Sequence, residues 1–388
     1  MNVFFVDLSM RNEEHVFFNS AFVRICHSIF ENARFLFYGD KQHCSNVKTE
    51  LNDLCDISFV DIKVLYHQTW RILFADLYSC GQIFRIMKKA KRVSGVMIVL
   101  NRLPICLIWL NFLNLFFRIN VITILHGELE SLVNWKNVRG LTKYYYLLFK
   151  MAYCLSSSRL SYVALGETIR RNISNLNFGK ARILTIDHPY DYSISFPIQS
   201  LIASPMRLGI IGKAMVRKNS GIIFDLAQEV AKKERTLNVC FCIAGVVEEA
   251  LKKKANQYVS YCDFSDRLSK DEYFNLIKVL HYSLLFYSKD INVALASGSF
   301  FDCIKFEKPI LALRGNQFVD YYMEKYEGIG YLFETVDDML SFILNPNGLR
   351  MKFLTEYQYQ IEQMRKAKIN LAIPSISANL KKQLYDTV

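Results

Sequence analysis

Short, wholly apolar runs recur along this chain, each giving way to a stretch with helical spacing, and that alternation limits the fold more than any other feature. Met1 to Leu8 reads as a first buried strand, followed by a loop from Ser9 to Glu14 and a helix from about His15 to Asn32. Arg34 to Tyr38 and Ile57 to Val60 are further strands, joined by polar connections. A helix from about Trp70 to Arg92 leads to the strand Val96 to Leu100. Leu103 to Arg118 is then a crossover helix with Pro104 in its first turn, expected to lie in the core. Val121 to Leu125 follows as a strand, and Tyr162 to Leu165 and Arg182 to Ile186 complete this set.

The rhythm resumes in the second half. Arg207 to Ile211, Val239 to Ala244, Tyr258 to Cys262, Ser283 to Tyr287 and Ile310 to Leu313 read as strands. Ile222 to Lys233, Lys270 to Leu280, Phe300 to Phe306, Val336 to Leu344 and a basic tail from Lys352 read as helices. Between the halves, Asp191 to Pro205 lacks periodicity, is serine-rich and carries two prolines, as a linker does. The fold class is therefore α/β, with two doubly wound, Rossmann-like domains over residues 1–195 and 196–388. Such sheets bind ligands beyond their strand C-termini, so a cleft between the halves is the expected site. The C-terminal helix is expected to pack back on the first domain.

At 388 residues, 52% hydrophobic and 22% charged, the chain can fill two cores. No apolar run reaches the roughly 18–20 residues of a membrane span. Asp7 interrupts the first apolar run and no basic segment precedes it, so no signal peptide is expected. The ten cysteines are scattered without C-x-x-C pairs, which fits reduced thiols and no metal site. The net charge of +12 calls for a negative partner. Basic residues cluster with aromatics at Arg85 to Arg92 (RIMKKAKR) and Lys136 to Lys150 (KNVRGLTKYYYLLFK), a mixture suited to an anionic membrane surface. No helix-turn-helix, zinc-finger or RNA-binding pattern is present, so nucleic acid is not expected as a partner.

Two stretches carry anion chemistry. In Met206 to Asn219 (MRLGIIGKAMVRKN), a buried strand breaks at Gly212, and Lys213 and Lys218 flank a short loop before a helix begins near Ser220. A strand, a glycine turn and a helix N-terminus present free amides to an anion, and lysine adds full charge. In Ala296 to Pro309 (ASGSFFDCIKFEKP), Ser297, Gly298 and Ser299 form a small-residue turn opening a helix, followed by Phe300 and, one turn on, Asp302. Both would suit a nucleoside diphosphate: hydroxyls and amides for phosphate, a carboxylate for ribose.

With these residues in view the chain resembles the GT-B glycosyltransferases. In many of them the second domain opens with a strand and a G-R-L-x-x-x-K pattern whose basic pair holds the donor diphosphate. Gly212, Lys213 and Lys218 match that spacing, with lysine for arginine, and Asn219 follows. The same resemblance gives Ser297, Gly298, Ser299, Phe300 and Asp302 to the donor, ahead of a G-K-P-like end at Glu307-Lys308-Pro309. Retaining relatives often carry two glutamates eight apart. The first would fall on Ala294, which tilts the expectation to inversion. No D-x-D occurs, so no metal or other cofactor is expected beyond the donor itself.

An inverting transfer needs a general base from the first domain. Glu128 and His126, at the end of a strand, are the first candidates, Glu128 as base and His126 as sugar contact or alternative base. Thr123 to Gly127 resembles the family's H-G turn. Glu13, Glu14 and His15, on the loop after the first strand, form a second cluster, and His188 could also line the cleft. The resemblance and the charge together imply a bacterial hexosyltransferase of surface-polysaccharide assembly. It would be cytoplasmic and peripheral on the inner face of the cell membrane, with a nucleotide-sugar donor and a lipid-linked or oligosaccharide acceptor. Alternatives are a nucleotide-sugar 2-epimerase of the same fold and a non-catalytic polyanion- or membrane-binding protein.

Overall fold

A computed structural model describes every residue except 55, 66–71, 136–137, 139, 194–204, 234–237, 263–267, 346 and 386–388. Most of the expected linker thus lies outside the described residues. The chain forms two compact units: Met1–Asp191 with Leu371–Val388, and Tyr192–Asn370.

The first unit is built on a seven-stranded parallel sheet. Its strands are β1 (Asn2–Asp7), β2 (Arg34–Gly39), β3 (Ile57–Asp61), β4 (Val96–Asn101), β5 (Val121–Ile124), β6 (Leu160–Ala164) and β7 (Arg182–Thr185), in the order β3-β2-β1-β4-β5-β6-β7. Central strands are buried on both faces (Val3 to Asp7 in β1, Met97 to Asn101 in β4), which is why they read as unbroken apolar runs rather than alternating ones. The helices are α1 (Val16–Ile29), α2 (Lys41–Glu50), α3 (Ile72–Arg92), α4 (Pro104–Phe117), α5 (Glu128–Val133), α6 (Leu141–Cys154) and α7 (Glu167–Asn172). Right-handed crossovers put α1 and α2 on one face of the sheet and α3, α4 and α6 on the other. The winding direction reverses between β1 and β4, so the switch point lies at their C-terminal ends, Asp7 and Asn101.

The second unit repeats the plan with six parallel strands: β8 (Met206–Ile211), β9 (Val239–Ala244), β10 (Val259–Tyr261), β11 (Tyr282–Leu285), β12 (Ile310–Leu313) and β13 (Gly330–Phe333), ordered β10-β9-β8-β11-β12-β13. They alternate with α8 (Ile222–Lys233), α9 (Glu249–Lys252), α10 (Lys270–Lys278), α11 (Gly298–Lys305), α12 (Gln317–Lys325) and α13 (Val336–Leu344), and α14 (Leu349–Leu371) follows. The core beneath β8 and β11 is aromatic, with Phe224, Phe241, Tyr282, Phe286, Phe353 and Tyr357 all buried. Here the switch point lies between β8 and β11.

The last helix, α15 (Ile373–Tyr385), belongs to the first unit, against α1 and β7. The Gln383 side chain continues the hydrogen bonding beside β7: its Oε1 accepts from Thr185 N at 2.8 Å and its Nε2 donates to Thr185 O at 2.6 Å. Several elements differ from the sequence reading, the short helices α5 and α9 among them. Where a polar connection was expected after β2, α2 forms, started by the Asp40 side chain accepting from Gln42 N. The short strand β13 and the preceding α12, capped by Asn316, were also not anticipated.

Candidate functional site

The two stretches expected to hold an anion, about eighty residues apart in sequence, meet at the switch point of the second unit. β8 ends at Ile211 and the backbone turns at Gly212 with φ +86°, a conformation a side chain would strain. A Cβ there would also sit 2.7 Å from Ser299 Oγ and would have to push that hydroxyl aside. Asn219, with φ +54°, ends the following 3-10 turn, and the Ser220 hydroxyl accepts from Met215 N to fix the loop. From this loop Lys218 reaches inward, and its Nζ donates to Ser299 Oγ at 3.2 Å. It also lies 5.5 Å from the centre of the Tyr287 ring.

Ser297 caps α11 by accepting from Phe300 N at 3.3 Å, and its hydroxyl pairs with Tyr287 Oη at 2.9 Å. The crevice is lined by Ile211, Lys213, Lys218, Leu285, Tyr287 and Ser299. Lys213 is exposed, whereas Lys218 is half-buried. Burial, helped by the nearby Arg217 charge, lowers the Lys218 pKa to about 8. A cation held partly desolvated at a helix N-terminus is a strong anion ligand.

One turn into α11, Asp302 Oδ2 accepts from Tyr273 Oη at 2.6 Å, so α10 supplies a residue the sequence reading missed. Its hydroxyl reaches across α10 and α11, a pairing that linear spacing does not reveal. Phe300 departs from expectation. Its ring is fully buried between Phe318 and Tyr322 and its amide is taken by Ser297, so it offers a ligand neither. Gly298 has open space where a Cβ would stand, so sterics do not demand glycine there.

The Glu307-Lys308 end is structural. Glu307 accepts from Lys368 Nζ at 2.9 Å and Arg365 Nε at 3.0 Å, tying down α14. Lys308 Nζ donates to the Lys278 and Leu280 carbonyls at 3.0 and 2.7 Å, closing the C-terminus of α10.

In the first unit, loops after three strands bring three histidines around Phe18. The ring centres of His126 and His188 lie 4.8 and 5.2 Å from that of Phe18, and His15 lies 5.3 Å from His126. His15 has left-handed backbone (φ +56°) at the start of α1, and an edge of it faces solvent. Burial, with His15 and Arg102 nearby, holds the His126 pKa well below 6.5, and burial lowers that of His188 to about 4. His126 is therefore neutral near pH 7, and its buried Nε2 has no hydrogen-bond partner among the described residues. A neutral imidazole with an open nitrogen can accept a proton.

Glu128 is placed otherwise than expected. Its Oε1 accepts from Arg102 Nη2 at 2.8 Å and from Tyr153 Oη at 3.0 Å, and its Oε2 from His126 N at 3.1 Å. Arg102 is buried and also donates to the Ile124 carbonyl. Held by a buried guanidinium and two further donors, this carboxylate is fixed in place and orients the His126 turn. Glu13 is exposed, and Glu14 accepts from Arg11 N at 3.3 Å as part of the loop's own fold.

The switch point of this unit holds a feature the sequence reading passed over. Asp7, fully buried, accepts from Asn19 Nδ2 at 2.8 Å, Asn101 Nδ2 at 3.0 Å and the amides of Ser9 and Met10. His43 extends the network, its Nε2 2.8 Å from Asn19 Nδ2 and its Nδ1 3.2 Å from Asn12 O. In sequence, Asp7 is a lone acid interrupting an apolar run, which was the only available signal. Among the described residues no cluster of His, Cys, Asp or Glu is arranged to hold a metal ion, and no helix is long and apolar enough to cross a membrane.

No family model and no curated protein matches the sequence. Solved structures do match its fold. Anabaena HepE, solved with UDP-glucose, superposes with a TM-score of 0.64 at 12% identity over 100% of both chains. The lipopolysaccharide outer core galactosyltransferase WaaB does so with a TM-score of 0.61 at 12% identity, again over 100% of both chains. A Listeria monocytogenes protein assigned as a UDP-N-acetylglucosamine 2-epimerase matches with a TM-score of 0.58 at 11% identity, over 100% of this chain and 97% of its own. The fold is that of the GT-B glycosyltransferases, two Rossmann-like parallel-sheet domains.

Proposed function

We propose that the chain is a glycosyltransferase moving a hexose from a nucleoside diphosphate donor to a lipid-linked or saccharide acceptor in bacterial surface-polysaccharide assembly. The observation that carries this reading is the meeting of Lys218 and Ser299, 3.2 Å apart at a switch point beside the N-terminus of α11. In this reading the diphosphate replaces that contact. Lys218 and Lys213 neutralise the phosphates, the Ser299 hydroxyl donates to an oxygen, and the helix end stabilises the leaving group without a metal. Asp302, steadied by Tyr273, takes the ribose hydroxyls.

His126 is the general base for an inverting attack, taking the acceptor hydroxyl's proton as the anomeric carbon is approached. This assignment replaces Glu128, which instead holds the His126 turn through Arg102 and Tyr153. The enzyme works peripherally at the cytoplasmic face of the cell membrane, where an acceptor on a lipid carrier is found.

Two measurements test the reading. A panel of nucleoside diphosphates should raise the melting temperature saturably, because binding stabilises the folded state. With a transferable sugar identified, His126→Ala should lower kcat by about 10²–10⁴ with donor KM little changed. No stabilisation by any nucleotide would defeat the donor assignment, and unchanged kcat would defeat the base. Release of free nucleoside diphosphate with epimerisation, independent of any acceptor, would favour the 2-epimerase alternative instead.

A further inference from the structure

The sequence of α4, PICLIWLNFLNLFF, is arranged inside out for a solvent-facing helix. Its two polar residues point inward. Asn111 is buried and donates to the Ala152 carbonyl of α6, and Asn114 is buried and donates to the Ile119 carbonyl. Its outer face carries Trp109, Phe112, Leu115 and Phe116, exposed by 36, 47, 58 and 68%. A surface helix normally puts its polar residues there.

The neighbouring helices continue that face. On α3, Phe74, Leu77 and Phe84 are exposed, and Phe84 meets Phe117 of α4 with ring centres 5.8 Å apart. On α6, Tyr144, Leu147 and Met151 are exposed at helical spacing. Of the 23 large hydrophobic residues exposed among the described residues, 12 lie on these three helices, so this is one patch rather than ordinary scatter.

The charge around the patch is of one sign. The last turns of α3 carry Arg85, Lys88, Lys89, Lys91 and Arg92; Arg118 ends α4, and Lys143 and Lys150 lie on α6. The only carboxylate on the three helices is Asp76, which is buried and accepts from the Ile105 and Cys106 amides at 2.7 Å each. That bond fixes the start of α4 to α3, so the ridge is held in place. Aromatic residues on a rigid helix, with lysine and arginine around them and no exposed acid among them, match an anionic bilayer. The rings enter the headgroup boundary and the cations meet lipid phosphates. A second copy is disfavoured, since a two-fold contact would press the same basic rim against itself.

We infer that the outer face of α4, flanked by α3 and α6, is the docking surface for an anionic lipid bilayer. This rests on the membrane part of the proposed function and adds the element that inserts. The test uses the full chain in co-sedimentation with vesicles of phosphatidylcholine alone and of phosphatidylcholine with phosphatidylglycerol. Binding to the anionic vesicles is expected, weakened by salt, with Phe112→Ser/Phe116→Ser lowering vesicle affinity by about tenfold or more. Lys88→Gln/Lys91→Gln should flatten the salt dependence.

Stabilisation of every variant by nucleoside diphosphate is measured in parallel. Retained stabilisation in the Phe112→Ser/Phe116→Ser protein shows that it is folded and keeps the donor reading separate. Wild-type protein that binds neither vesicle, binds both equally, or binds unchanged after the phenylalanine substitutions overturns the inference. So does a solution dimer that the same substitutions split into monomers. Vesicle binding without any nucleotide effect would overturn the donor reading alone.

Discussion

The two sheets reverse their winding at equivalent places, yet the two switch points are put to opposite uses. At the end of β1 the chain places Asp7, whose carboxylate is filled by two asparagine side chains and two amides and is shut away from water. At the end of β8 it places Gly212, leaving room for Ser299 and for Lys218 to lie over an open crevice. Topology puts amides and helix termini at both points. The side chain at the strand's end decides whether that polarity is satisfied internally or left open, and we propose that the open one takes the ligand.

The largest expected effect comes from breaking the closed point. Asp7→Ala leaves the Asn19 and Asn101 amide groups buried without their acceptor and should destabilise the protein by about 3–5 kcal/mol. Denaturant unfolding measures this. A loss below about 1 kcal/mol would mean that the network is not what holds this end of the sheet. The open point should respond in the opposite sense. Lys218→Ala should weaken nucleoside diphosphate binding by about 10- to 100-fold, as removal of a desolvated charge contact does, while leaving the melting temperature unchanged or raised.

A third effect separates the two by pH. Burial lowers the Lys218 pKa to about 8, so its charge is full well below that pH and is lost as pH rises through it. Donor affinity should therefore fall above about pH 8, less steeply in Lys218→Arg. Bound diphosphate favours the protonated form, which moves the midpoint upward in the complex. A flat affinity from pH 7 to 9 would argue against Lys218 as the ligand. The smallest effect is expected of Tyr273→Phe, which removes one hydrogen bond to Asp302. It should weaken binding of a nucleoside diphosphate by about 1 kcal/mol and leave inorganic pyrophosphate unaffected, if Asp302 serves the ribose.

The same contrast explains what could be read from sequence. Buried parallel strands announce themselves as apolar runs, so the strands of both sheets were legible apart from β13, whose four residues begin with Gly330. Lys213, Lys218 and the Ser297–Ser299 turn, which we propose hold phosphate, could be singled out from sequence because phosphate chemistry uses local backbone geometry: a turn and a helix start lie within a few residues of each other. What was hidden depends on distant partners. Glu128 reads as a free strand-end acid until Arg102 and Tyr153, 26 and 25 residues away, are seen to hold it. Lys308 and Glu307 read as part of a motif, whereas their contacts close α10 and anchor α14. Helix α2 has a mostly polar sequence, and its start depends on one cap at Asp40. On α4 the apolar pattern pointed to the core, and only the structure separates its buried side from its exposed aromatic side.

The central claim is that a diphosphate binds where Lys218 meets Ser299. The most direct measurement is a calorimetric double-mutant cycle with a nucleoside diphosphate and the Lys218→Ala, Ser299→Ala and combined variants. The account predicts saturable one-site binding by the wild type, weaker binding by each single variant, and a combined loss that differs from the sum of the two, since the residues share one ligand. Wild-type affinity retained in both single variants would contradict it.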